Sequence, residues 1–238
     1  MDCQTGGVDH PDPKPAAATG PAATTGPAAG TGPAAAPAGY LRALALAATG
    51  YLVFHHVGSL PGGLGEVGVT RWADWLDLLT PFAVVLPAAY ALRAAQASGR
   101  LWVTFIVAAI GYVQGQGMHL AANSIGNARP GEAAHFWDEV AGHALWYGGA
   151  ALLMGCLAVT MSRVTRPRTW APPLLAIGVG LTWWTNAVGG GTLWLSLPVA
   201  AALVGYGWRH RASLAVLLLI GFAPAAGLCL WLVLSAAT

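Results

Sequence analysis

The chemistry-bearing residues of this chain gather where its apolar segments end: His55, His56, Asp74, Asp77, His119, Asn123, His135, Asp138, Glu139 and His143, a set with five of the seven histidines. Imidazole and carboxylate are the ligands that zinc and non-haem iron take in catalytic sites. Ionisable groups at membrane depth cost several kcal/mol, so they tend to face a cavity or a partner. The spacing gives these groups shared helix faces. Glu139 and His143 are four apart, with His135 four residues earlier and Asp138 alongside; Gln116, His119 and Asn123 follow i, i+3, i+7; Asp74 and Asp77 are three apart. Residues at three- and four-residue separations are neighbours on a helix surface.

A divalent metal site uses this inventory economically, zinc before iron. The expected ligands are His119, His143 and one of His55 or His56, with Asp77 or Asp138 as a fourth ligand or as the acceptor that orients an imidazole. Glu139, beside Asp138, is the expected general base, since a metal brings its bound water toward neutral pKa and a nearby carboxylate takes the proton. Asp74, Gln116, Asn123, His135 and Asn186 form the expected surround. No HExxH occurs; the segment reads His135-Phe-Trp-Asp138-Glu139-Val-Ala-Gly-His143.

The elements that position these groups follow from composition. Of 238 residues 56% are hydrophobic and 8% charged, far below the charged share of a soluble domain, so the chain is expected to be an all-α polytopic membrane protein. Seven apolar segments, near 40–58, 74–95, 101–122, 137–162, 170–188, 192–208 and 212–236, have about the length that spans a bilayer. Arg93, Arg100, Arg163, Arg166, Arg168, Arg209 and Arg211 fall in alternate loops, Lys14 precedes the first segment and Arg42 stands at its start. Retention of basic residues on the cytoplasmic side then sets the N-terminus inside and the C-terminus outside, with only Arg71 and Arg129 opposite. That topology brings every group of the His/carboxylate set to the exterior face. The net charge of +2 forms no dense basic patch, which argues against a nucleic-acid partner and leaves membrane lipids. The plasma membrane is the expected location.

Residues 1–39 are rich in Ala, Gly, Pro and Thr, with Thr-Gly-Pro-Ala-Ala starting at Thr19, Thr25 and Thr31; a disordered cytoplasmic tail is expected there, followed by one membrane domain over 40–238. The segments 59–73 and 124–136 are expected as exterior connectors. Cys3, Cys156 and Cys229 form no CxxC pattern.

Seven spans, an inside N-terminus and membrane-edge His and Asp residues resemble the superfamily of seven-helix metal-dependent hydrolases that includes alkaline ceramidases and the progestin and adipoQ receptors. The resemblance is architectural, over about 40–236, and implies hydrolysis of a lipid or amphipathic substrate. Those families carry a Ser and a His early, an Asp after them and a His-x-x-x-His pair in the last helix. Here the last segment has no histidine, with Ser213 and Ser235 nearby, so no residue role is carried over. Two other classes use the same groups: a redox protein with haem between His119 and His143 or with copper bound by histidines and Met118, and a non-enzymatic transporter or receptor whose acids and imidazoles titrate or bind a solute.

Overall fold

The computed structural model describes residues 37–236. The tail expected over residues 1–39 lies outside the described residues except for its last three positions, where helix α1 (Ala38–Phe54) has already begun behind Pro37. Helices carry nearly all of the rest: α2 (Trp72–Asp77), α3 (Thr80–Ala94), α4 (Gly99–Ala128), α5 (Glu132–His135), α6 (His143–Met161), α7 (Ala171–Gly189), α8 (Leu193–Arg209) and α9 (Val216–Ser235).

Four helical segments are long and apolar enough to cross a bilayer: Trp72–Ala94, Gly99–Asn127, Glu132–Met161 and Val216–Ser235. The other three expected spans fall short of that measure. Helices α1 and α8 have 17 residues each, about 26 Å at 1.5 Å per residue against a hydrocarbon core of about 30 Å. Helix α7 has 19 residues, but Thr182, Thr185 and Asn186 make its final turns polar.

Local chemistry explains most element boundaries. The second expected span divides into α2 and α3 at Leu78–Leu79, because Pro81 sits in the first turn of α3, where its missing N–H costs nothing. Helix α4 starts at Ser98, whose Oγ accepts from the Leu101 amide, and runs six residues beyond its expected end at 122. The expected connector at 59–73 carries structure of its own: two short 3₁₀ turns, Val57–Ser59 and Pro61–Leu64, then an antiparallel hairpin of β1 (Glu66–Val67) and β2 (Thr70–Arg71). Gly63, at φ 59°, lies under Arg71; a Cβ there would stand 2.6 Å from Arg71 Cδ.

Helices pack in pairs, and a glycine marks each close contact. A Cβ on Gly50 of α1 would lie 2.4 Å from the Ala83 carbonyl oxygen of α3, one on Gly149 of α6 would lie 2.3 Å from the Tyr112 amide of α4, and one on Gly180 of α7 would overlap the Gly221 carbonyl of α9. Small residues let helix backbones approach this closely where lipid supplies no hydrophobic drive for association. The core around these contacts is aromatic and aliphatic, with Tyr40, Tyr51, Tyr112, Trp146, Tyr147, Trp183 and Phe222 all buried.

Candidate metal centre

Helix α4 and the start of α6 carry the centre. Gly115, one turn before His119, packs on the Trp146 backbone, and a Cβ on Gly142 would lie 2.9 Å from the His119 amide. These two contacts seat His119 against His143. Between α5 and α6, residues Phe136–Gly142 wind as a π-helical turn, a rare form concentrated at functional sites. In an α-helix, residues five apart diverge by about 140°, since each step is about 100°. Hydrogen bonding from i to i+5 winds the turn more loosely, so Asp138 and His143, five apart, come to one face. The i, i+4 spacing joins Glu139 to His143 on an ideal helix, with Asp138 alongside.

Nδ1 of His119 lies 2.5 Å from Oδ1 of Asp138. Nδ1 of His143 lies 3.2 Å from Oε2 of Glu139. His119, Asp138 and His143 each offer a ligand atom within 4.8 Å of the others', and the two imidazole centroids are 4.6 Å apart. The short His119–Asp138 contact is not a hydrogen bond: the two Nδ1 atoms and Asp138 Oδ1 are buried and none has a hydrogen-bond partner among the described residues. Buried polar atoms are ordinarily paired. Three ligand atoms without hydrogen bonds, on residues grouped this closely, offer a donor set for a cation, whose tetrahedral bonds of about 2.0–2.2 Å would hold ligand atoms a little over 3 Å apart and so widen the His119–Asp138 separation. Glu139, with a side chain 41% exposed, stands between this point and solvent. Gly190, at the end of α7, closes another side; a Cβ there would come within 3.1 Å of His143 Nδ1.

The remaining site residues read from sequence divide into neighbours and bystanders. His55 is buried, but both its ring nitrogens are engaged: Asn186 Nδ2 donates to Nδ1 at 2.7 Å, and Nε2 meets Tyr112 Oη at 2.5 Å. It is therefore committed to α4 and α7 rather than to the triad. Trp146 links the two, its ring 4.9 Å from that of His55 and 5.1 Å from that of His119. His56 is exposed and reaches Thr182 Oγ1 at 3.2 Å. Asp77 accepts from Thr80 Oγ1 at 2.5 Å, and its backbone carbonyl accepts from Gln116 Nε2 at 3.5 Å. Asp74 holds Arg71 through side-chain and backbone bonds and accepts from Ser124. Asn123 bonds Asn127, and His135 is exposed on α5.

The sequence reading left out Tyr51, Tyr112, Trp146 and Tyr147, which wall the histidines. A signal for Tyr112 was present: Tyr112, Gln116, His119 and Asn123 follow i, i+4, i+7, i+11, one continuous stripe of α4. Comparison with protein-family models, with curated proteins and with solved structures finds no match to this chain.

Proposed function

We propose that the protein is a metal-dependent hydrolase of the cell membrane, acting on a lipid or amphipathic substrate at its exterior leaflet. The observation that carries this is the set of three buried, hydrogen-bond-free ligand atoms on His119, Asp138 and His143. Two imidazoles and one carboxylate are a donor set of catalytic zinc, which keeps a further position for water, and zinc is preferred over iron. Bound there, the ion would polarise the scissile carbonyl or phosphoryl and acidify water. Glu139 is placed to take the proton from the attacking water and to return it to the leaving group. Trp146 and Tyr147 exclude bulk water behind the histidines, and the partly exposed Glu139 side faces the direction of substrate entry.

The seven-span topology with a cytoplasmic N-terminus belongs to this proposal. It is supported by the alternation of arginine loops and by the convergence of the α1, α4, α6 and α7 ends that carry the polar groups. The neighbouring imidazoles favour one shared ion over haem, because the packed α4–α6 contact leaves no gap for a macrocycle between His119 and His143.

The test is elemental analysis of the purified chain after growth with zinc, paired with release of acyl product from fluorogenic esters and amides in phosphatidylcholine vesicles. One zinc per chain, lost in His119→Ala and His143→Ala together with turnover, is the expected result. A wild-type chain that binds no metal would overturn the proposal.

A further inference from the structure

A cavity of about 470 Å³ runs between α1, α6, α7 and α9, from Pro167, Thr169 and Pro172 at one end to Tyr51 and Phe222 at the other. Its walls are mainly Leu, Ala, Val and Met side chains, and no Lys, Arg, Asp or Glu lines it. The inner end gives a ligand nothing to hydrogen-bond, since the Tyr51 hydroxyl is buried in the protein and that of Tyr112 meets His55. The outer end is different. Pro167 and Thr169 also line a second cleft, whose other walls are Arg166, Arg168, Trp170 and Pro173, so two arginines stand at the mouth of the cavity. Both are exposed, and neither forms an ion pair among the described residues. Every acidic residue among those described falls either in 66–77, after the far end of α1, or in 132–139, before the far end of α6. The arginine loop is also pinned: the Leu214 amide donates to the Val164 carbonyl at 2.8 Å and ties the loop to the segment before α9.

We infer that this cavity and its arginine mouth bind an anionic phospholipid of the bilayer, with one acyl chain in the cavity and the phosphate at Arg166 and Arg168. The apolar walls call for a hydrocarbon chain, and a polar head drawn inside would be buried without a partner. The head therefore stays at the mouth, where guanidinium forks match phosphate oxygens and where basic pockets between membrane helices hold anionic headgroups. Net negative charge follows from the missing carboxylates, because the ammonium of a zwitterionic head would meet arginines and no acid. Trp170, 74% exposed on the cleft wall, has the indole that favours headgroup depth. The metal centre lies elsewhere: His143 opens α6, whereas the mouth follows the last residue of that helix, Met161. Binding therefore stands without the metal centre, and goes beyond the hydrolase proposal in naming a second site and its ligand class.

The experiment uses the full chain in phosphatidylcholine nanodiscs that contain a small share of phosphatidylglycerol bearing a diazirine at mid-chain. Saturable labelling is expected, with adducts at Leu44, Ala48, Leu157 or Leu175, which line the cavity. The same diazirine carried on phosphatidylcholine at equal content should label these positions at least about tenfold less. Arg166→Gln combined with Arg168→Gln should lower phosphatidylglycerol labelling about tenfold, to the phosphatidylcholine level. Arg93→Gln combined with Arg100→Gln, the same charge change in a loop that lines neither the cavity nor the cleft, should leave labelling unchanged; equal loss in both pairs would reduce the effect to general attraction between basic loops and anionic lipid and overturn the site. His119→Ala and His143→Ala should label as wild type does, so loss of metal and loss of this site are read apart. Equal labelling by the two probes, or adducts confined to outward residues such as Leu86, Val107 and Ile110, would overturn the inference; both are read on the wild-type chain and need no variant to fold.

Discussion

His119 Nδ1 and Asp138 Oδ1 face one another at 2.5 Å across the contact between α4 and the π-helical turn, and neither is hydrogen-bonded. Two buried acceptor-capable atoms held this way are costly unless a third body satisfies both, and His143 offers a further ligand atom within 4.8 Å of those of His119 and Asp138.

Asp138 and Glu139 are adjacent but differently employed. Asp138→Asn is expected to weaken zinc binding by about 10–100-fold or more, because it removes a charged donor, whereas Glu139→Gln should keep one zinc per chain and lower turnover about 10²–10⁴-fold. Zinc titration and vesicle hydrolysis on the two variants check this. Equal metal loss in both would make Glu139 a ligand.

His55 supplies stability rather than coordination. His55→Ala leaves Tyr112 and Asn186 without their shared partner, a loss of at least about 2 kcal/mol, while zinc stoichiometry should remain one. A lowered melting temperature in detergent with unchanged metal content is the expected pair of readings. Metal loss from a chain that is still folded would place His55 among the ligands.

The two glycines at the start of α6 and within it make a matched pair. Gly142→Ala would push a Cβ to 2.6 Å from the Trp137 carbonyl oxygen and 2.9 Å from the His119 amide, forcing α4 from the turn at a cost of about 1–3 kcal/mol and lowering zinc affinity. Gly148→Ala meets nothing within 4 Å and should be neutral or stabilising by up to about 1 kcal/mol, the helix preference for alanine. Thermal unfolding of both variants, with and without zinc, measures the contrast.

The π turn can be tested by removing its extra residue. Deletion of Ala141 should rewind Phe136–Gly142 as α-helix, rotating Asp138 and Glu139 by about 100° away from His143. Helical content by circular dichroism should be preserved and zinc binding lost. Retained binding would show that the π turn is dispensable to the centre.

Apolar composition and sparse charge were enough to determine an all-α membrane protein, since backbone groups in hydrocarbon must be satisfied within each segment. Helix placement was legible for the same reason: the expected segments near 170–188 and 192–208 lie within a residue or so of α7 and α8. So was the gathering of His119, Asp138, Glu139 and His143 at one set of helix ends. Which of them share a point was not. Sequence spacing on an ideal helix joined His143 to Glu139, with Asp138 alongside as a possible ligand, and the π turn over Phe136–Gly142 accounts for Asp138 sharing the face of His143. The adjacent pair His55 and His56 likewise divided by packing, one bonded between Tyr112 and Asn186 and the other exposed. Periodicity reports the local angle between residues on one helix. The choice of ligands depends on contacts between helices far apart in the chain, and those exist only once Gly115, Gly142 and Gly149 have let α4 and α6 close on each other.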